Sequence, residues 1–210
     1  MPVYFNEPLS FLQKFSEDLE YYDLLDKAVA GISCFFCKET DTLSSATTSL
    51  ERMQWIAVFA VSPYAATTRT AKPFNPILGE TFEMMRDDLG YRYFAEQVSH
   101  HPPISACHCD GNGYTYWAEA HINNKFKGNV LEVNPSGSFH VLIHATKEHF
   151  VWHRVKTVVN NIIIGTLWVD NMGEMLIKNL STGETALLNF KQKGWFSSTG
   201  YGEMEGLIKV

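Results

Sequence analysis

The sequence predicts a mainly β (α+β) fold: a large, incomplete antiparallel β-barrel with two N-terminal helices packed on it. Three observations carry this expectation. Helical periodicity is confined to the residues before Phe74. From Thr81 on, short apolar runs alternate with turn residues: Asp87-Asp88-Leu89-Gly90, Asp110-Gly111-Asn112-Gly113, Asn134-Pro135-Ser136-Gly137, Asn171-Met172-Gly173 and Ser181-Thr182-Gly183. Such punctuation reads as hairpins. Consecutive strands joined by short turns pair antiparallel, and a sheet this wide curls, which protects its edges.

Taken in order, Met1 to Phe5 is a short extended lead. Asn6 can cap a helix whose first turn holds Glu7 and Pro8. Leu9, Leu12, Phe15, Leu19 and Tyr22 then recur at helical spacing, which predicts a helix to about Ala30. Glu17, Asp18 and Glu20 lie off that face and read as solvated. Gly31 to Ser49 reads as a Ser/Thr-rich loop. A second helix, from about Leu50 to Ala66, is apolar nearly all round and should be buried, with Pro63 kinking or ending it. Lys72-Pro73-Phe74-Asn75-Pro76-Ile77-Leu78-Gly79-Glu80 reads as a rigid loop, because its prolines forbid both helix and central strand. The predicted strands are Thr81–Arg86, Tyr91–Val98, Ile104–Cys109, Tyr114–His121, Asn129–Val133, Ser138–His144, His149–Val155, Asn160–Val169, Glu174–Asn179, Thr185–Phe190 and Glu203–Val210.

Composition narrows the function. The chain has 210 residues, 45% hydrophobic and 19% charged, which suits one globular domain with one core. A net charge of −6 disfavours a nucleic-acid binder and a general electrostatic membrane coat. Any anion site must therefore be a local pocket. Cys34, Cys37, Cys107 and Cys109 are too few for a secreted disulfide scaffold, and no secretory signal is visible, so the chain reads as cytosolic and reduced. The apolar runs are too short to span a bilayer.

The chemistry concentrates in Glu96-Gln97-Val98-Ser99-His100-His101-Pro102-Pro103-Ile104-Ser105. Neighbouring side chains of a strand point to opposite faces, so a histidine pair in a regular strand would split between core and solvent. Pro102 removes a donor and biases His101 toward extended geometry, ending the strand. Both imidazoles can then turn toward one target. Imidazole N–H groups suit an anion, most obviously a phosphate. Lys72 and Asn75 add an ammonium and an amide. By composition alone they read either as a phosphate loop or as an ordinary connector with a solvated lysine.

This decapeptide resembles the fingerprint of the oxysterol-binding protein-related family of lipid-transfer proteins. Lys72 to Glu80 is similar to that family's second signature. Further similar stretches are Met1 to Gln13, Glu17 to Ala28, Asn160 to Trp168 and Asn189-Phe190, so the resemblance covers nearly the whole chain. The resemblance implies that Lys72, Asn75, His100 and His101 hold a phosphoinositide headgroup, with the histidines facing the 4-phosphate. It further implies a cytoplasmic carrier of sterol or oxysterol and of phosphatidylinositol 4-phosphate, working peripherally at endoplasmic reticulum and Golgi membrane contact sites. Either lipid would occupy one apolar tunnel, so the two would exclude each other and could be exchanged. By the same resemblance, residues 1–210 form one lipid-binding domain that lacks an N-terminal lid and a C-terminal part. Residues 32–49 are longer than the family pattern. Some relatives carry phosphatidylserine in place of sterol, and no motif here separates the two.

Other chemistries are weaker. Cys34-x-x-Cys37 with Cys107-His108-Cys109 could supply zinc ligands. Cys107 and Cys109, however, share one face of a predicted strand without His108, and nothing brings the two cysteine groups together; no metal and no cofactor are expected. No nucleophile elbow, carboxylate dyad or glycine-rich phosphate loop stands out, so no enzyme is expected. The alternative to a carrier is a lipid-regulated sensor or scaffold that binds the same ligands without moving them.

Overall fold

The fold, a computed structural model, describes residues 6–30, 48–69, 71–193 and 201–209. Cys34, Cys37 and the long loop at 32–49 fall largely outside the described residues.

The expected first helix starts later than its sequence suggests. Asn6–Ser10 is a strand, β1, paired in parallel with a second short strand, β2 (Lys72–Phe74). Tertiary pairing has overridden Asn6 as a cap; its side-chain amide donates to the Pro73 carbonyl instead, at 3.4 Å. The proline loop therefore does contain a strand, though one outside the main sheet. Helix α1 (Phe11–Phe15) passes into a 3₁₀ segment (Ser16–Tyr21) and then into α2 (Tyr22–Ala30). The 3₁₀ winding corrects the reading of Asp18. Residues three apart are aligned in such a helix, so Asp18 follows Phe15 inward and is buried. There it accepts a hydrogen bond from the Tyr116 hydroxyl at 2.7 Å and pairs with the Arg154 guanidinium. Burial opposes charge on Arg154, yet the Asp18 carboxylate holds its pKa above the ordinary value.

Helix α3 (Ser49–Val61) begins on a capping box formed by Thr48 and Glu51. It ends one residue before the Pro63 turn, which continues as a 3₁₀ segment (Ser62–Thr68). Met53, Trp55, Ile56, Phe59 and Ala60 are buried, as its all-round apolar pattern requires. At its start, the Ser49 hydroxyl sits between the Glu148 and Glu184 carboxylates, Arg52 pairs with Glu148, and Asn179 donates to Glu148 at 3.0 Å.

The sheet is a meander. Strands β3 (Thr81–Arg86), β4 (Tyr91–His100), β5 (Pro103–Asp110) and β6 (Tyr114–Lys127) pair in succession. Strands β7 (Val130–Ser136) and β8 (Phe139–Ile143) lie end to end along β6. Strands β9 (His149–Trp152) and β10 (Lys156–Asn160) lie end to end along those two. Then come β11 (Trp168–Asn179), β12 (Thr185–Phe190) and β13 (Met204–Lys209). Every pairing in this sheet is antiparallel. Among the described residues nothing joins β13 to β3, so the barrel is incomplete, as expected.

Two expected reversals are not reversals. At Asn134–Gly137 the chain runs on along β6, with Pro135 opposite Ile122. At Asn171–Gly173 the strand continues but changes partner, from β10 to β12, and Gly173 takes a φ of 114° there. Glycine and proline here mark bends inside long strands. Conversely, most of the expected strand Asn160–Val169 is a loop between β10 and β11.

One face of the sheet carries the helices. Tyr91, Tyr93, Ala95, Cys107, Cys109, Tyr114, Tyr116 and Ala118 alternate into it, and Phe59 meets Tyr116 and Trp152 edge-on at 5.6 and 6.2 Å. Cys107 and Cys109 do share this face, with His108 exposed on the other; burial pushes the Cys109 thiol up to about 12. On the opposite face, His140 stacks on Trp117 at 4.9 Å, and its Nδ1 lies 3.0 Å from Nε2 of His149.

Two outcomes follow. Asp18→Ala leaves the Arg154 charge without its buried partner and should cost about 3–5 kcal/mol, read from the shift in urea midpoint. Burial lowers the pKa of both His140 and His149 below 6.5, and their mutual repulsion lowers His140 further. The unfolded chain thus binds more protons than the folded one once pH drops below about 6.5. Stability present above that pH should fall as pH descends through the folded values. His140→Gln/His149→Gln should flatten this acid slope; an unchanged slope would assign it to other groups.

Candidate functional site

The histidine pair lies at a hairpin turn. Strand β4 extends through His100, and His101-Pro102, joined by a cis peptide, turns the chain into β5 with His100 opposite Pro103. The register slips between Gln97 and Ser99, which leaves Val98 as a bulge residue. Both histidines are exposed, and their rings meet edge to face with centroids 4.8 Å apart.

Gln97 fixes this turn. Alternation along β4 sends Tyr91, Tyr93, Ala95 and Gln97 inward, so Gln97 is a buried amide that must find partners. Its Nε2 donates to the Ser99 carbonyl at 2.7 Å across the bulge, and its Oε1 accepts from the Ser105 hydroxyl on β5.

The proline loop is held at the same end. The Gly79 N–H donates to the Gln97 carbonyl and the Gln97 N–H to the Glu80 carbonyl, each at 2.9 Å, which prolongs the β3–β4 ladder. The Glu80 carboxylate accepts from the Ser10 hydroxyl with one oxygen and from the Ile77 N–H, at 3.0 Å, with the other. The Glu80 N–H returns a bond to the Ile77 carbonyl at 3.0 Å. Glu80 thus closes the turn Pro76–Gly79 and ties it to β1. Lys72 and Asn75 are exposed, and neither side chain has a hydrogen-bond or ionic partner among the described residues. The two loops are therefore neighbours through their backbones, while among the described residues no hydrogen bond or ion pair joins Lys72 or Asn75 to the histidines.

An apolar cleft of about 530 Å³ opens beside the C-terminal half of α3. Val58, Val61, Tyr64, Val169, Phe190 and Met204 line it, with Asp170 in its wall. Its size falls within the roughly 300–1,000 Å³ of small-molecule sites. Burial raises the Asp170 carboxyl, whose Oδ2 accepts the Lys193 N–H at 3.1 Å. Sequence reading missed this cleft, because it assembles from α3, β11, β12 and β13. It also missed Glu80 and Gln97, although both lie in the quoted motifs; for Gln97 the available signal was a polar residue at an inward-facing strand position.

The family model described as oxysterol-binding protein matches residues 1–210. Oxysterol-binding protein-related protein 3 of Mus musculus is 44% identical over 212 residues, covering 99% of this chain and 23% of that protein. Oxysterol-binding protein 2 of Mus musculus is 43% identical over 211 residues, covering 99% and 22%. The chain thus spans under a quarter of these relatives. Among solved structures, the Osh1 ORD domain in complex with ergosterol matches with a TM-score of 0.85 and 37% identity, over 99% of this chain and 46% of that one. The Osh3 ORD in complex with PI(4)P from Saccharomyces cerevisiae matches with a TM-score of 0.78 and 32% identity, over 94% and 49%.

Gln97→Ala leaves the buried Ser105 hydroxyl without its acceptor. It should destabilise the chain by about 1–3 kcal/mol, and Ser105→Ala should cost less when added to it than alone. Additive costs in denaturant titrations would mean that Gln97 does not hold the turn through Ser105.

Proposed function

The chain belongs to the oxysterol-binding protein family, and we propose that it binds a sterol or phosphatidylinositol 4-phosphate, one at a time, and exchanges them between membranes. The observation that carries this reading is the placement of His100-His101 and the Lys72–Glu80 loop side by side, in a fold matching domains solved with ergosterol and with PI(4)P. Lys72, Asn75, His100 and His101 hold the headgroup. The lysine supplies charge, Asn75 a directional amide, and the imidazoles N–H donors. Gln97 and Glu80 set both loops before the ligand arrives, so little ordering entropy is lost on binding.

The sterol and the acyl chains of the phosphoinositide share apolar space, so each lipid displaces the other. Sterol carries no phosphate and does not need the four polar groups. The activity is carriage without catalysis, and it places the chain peripherally in the cytoplasm, at contacts between endoplasmic reticulum and Golgi membranes. Residues 1–210 act in it as lipid-binding domain sequence.

Hydrogen bonds to a charged group contribute about 1.5–3 kcal/mol each. His100→Ala/His101→Ala should therefore weaken phosphatidylinositol 4-phosphate binding at least about tenfold, or roughly 1.4 kcal/mol. Sterol binding should stay within about twofold, or roughly 0.4 kcal/mol. Paired titrations of both lipids on parent and double variant test this. Equal loss of both lipids would make the histidines structural, and retention of both would move the phosphate site elsewhere. Vesicle-to-vesicle transfer separates a carrier from a sensor, since a sensor binds both lipids without moving them.

A further inference from the structure

The large apolar side chains most open to solvent gather at one end of the sheet. Ile164 (77%), Ile77 (70%), Ile163 (66%), Leu78 (65%) and Phe126 (59%) lead the described large apolar residues in exposure, with Met85, Leu180 and Leu207 next, at 58%, elsewhere in the fold. Ile77 and Leu78 stand in the loop that Glu80 closes. Phe126 is the penultimate residue of β6, and Ile163 and Ile164 lie in the loop between β10 and β11. The strand register puts these five at the end where β4 turns into β5 at His101-Pro102. Ile104, beside that turn, lies opposite His121, and β6 then continues from Ile122 to Lys127. Pro103, opposite His100, is level with Ile122, so at about 3.3 Å per residue this tip runs roughly 17 Å of strand beyond the level of His100.

The isoleucine loop is clamped from the β6–β7 turn by one residue. Asn129 Oδ1 accepts the N–H groups of Ile163 and Ile164 at 2.7 and 3.0 Å, and the Asn129 carbonyl accepts that of Ile162 at 3.1 Å. Asn129 Nδ2 donates to the Ile164 carbonyl at 2.9 Å and to Asn161 Oδ1 at 3.2 Å. Asn161 takes a φ of 61° and donates to the Thr166 carbonyl at 3.0 Å, and Gly165 takes a φ of 103°. The backbone donors at the loop tip are thus satisfied internally, while the side chains they carry face water.

We propose that this loop, with Phe126 beside it, is a finger that inserts its isoleucines into the surface of a lipid bilayer. Unpaired backbone N–H groups are costly in hydrocarbon, and the Asn129 clamp removes that cost before insertion. A protein partner's groove could supply donors and acceptors of its own and would not need such a clamp. Exposed Lys125 lies on β6 just behind the tip and has no ionic partner among the described residues, so it can meet anionic headgroups as the tip enters. Insertion at this end would bring the histidine turn toward the membrane from which a headgroup is drawn. The inference rests on the lipid-binding reading above.

The test uses the full chain and vesicles of phosphatidylcholine and phosphatidylserine without phosphoinositide, so headgroup capture plays no part. Ile163→Ser/Ile164→Ser should lower vesicle co-flotation at least about tenfold, given the apolar area withdrawn from water. Its melting temperature and its binding of the soluble headgroup inositol 1,4-bisphosphate should not change. Separately, Ile164→Trp should show a blue shift of emission on adding vesicles. Unchanged flotation of the serine variant would overturn the proposal. So would an Ile164→Trp emission already blue-shifted without vesicles, because a segment of protein would then cover the loop. Failure of the lipid reading would show differently, as absent headgroup binding in the unsubstituted chain.

Discussion

The carboxylate of Asp18 lies between the helical layer and the sheet, where an unpaired charge is not tolerated. Tyr116 on β6 and Arg154 between β9 and β10 both reach it, so one side chain ties the first helical segment to two separate runs of the meander. Arg154 also lies over the Phe139 ring, at 4.6 Å, which carries the link to β8. Once these contacts form, the helices can occupy only one face of the sheet. The start of α3 is anchored at the other end of the strands by Glu148, Glu184 and Asn179. Between these anchors α3 must point its C-terminus toward the histidine turn, and the chain leaving it enters the Lys72 loop there.

Side-chain carbonyls and carboxylates then do at the loops what ladders do in the strands. Glu80 closes the Ile77 turn, Gln97 accepts from the Ser105 hydroxyl beside the bulge before the histidines, and Asn129 organises the isoleucine loop. Each acceptor takes backbone or hydroxyl donors that would otherwise need water. The end of the sheet that holds the candidate headgroup residues is therefore rigid in its backbone and open in its side chains. Such a surface can be wet on one side and apolar on the other without rearranging.

The candidate headgroup residues Lys72 and Asn75 share the Lys72–Glu80 loop with exposed Ile77 and Leu78, while the exposed Ile163 and Ile164 sit on a separate loop of that one end. Lys72, Asn75, His100 and His101 are carried by the β3 approach and the β4–β5 turn, and Ile163 and Ile164 by the β10–β11 loop. The proposed headgroup site and the proposed membrane finger can therefore be substituted independently at His100 and His101 and at Ile163 and Ile164.

Much of this was legible in one sequence. The period of the apolar residues changes after Phe74, and strands with short turns can pair only antiparallel, so the class and its layers followed from local pattern. The candidate headgroup residues were named through the resemblance of two long motifs to a family, since local pattern alone left Lys72 and Asn75 open between a phosphate loop and an ordinary connector. What the sequence could not determine is where local signals yield to distant partners. Asn6 gives up a helix cap for pairing with Pro73, and Asp18 leaves the solvated face for Arg154. Pro135 and Gly173 bend strands where they were expected to reverse them, since long neighbours were present to continue the ladder. The Asn129 clamp, the cleft beside α3 and the shared end of the two proline loops each join residues far apart in the chain. Their energies depend on the contact and on its register, and neither exists until the sheet has formed.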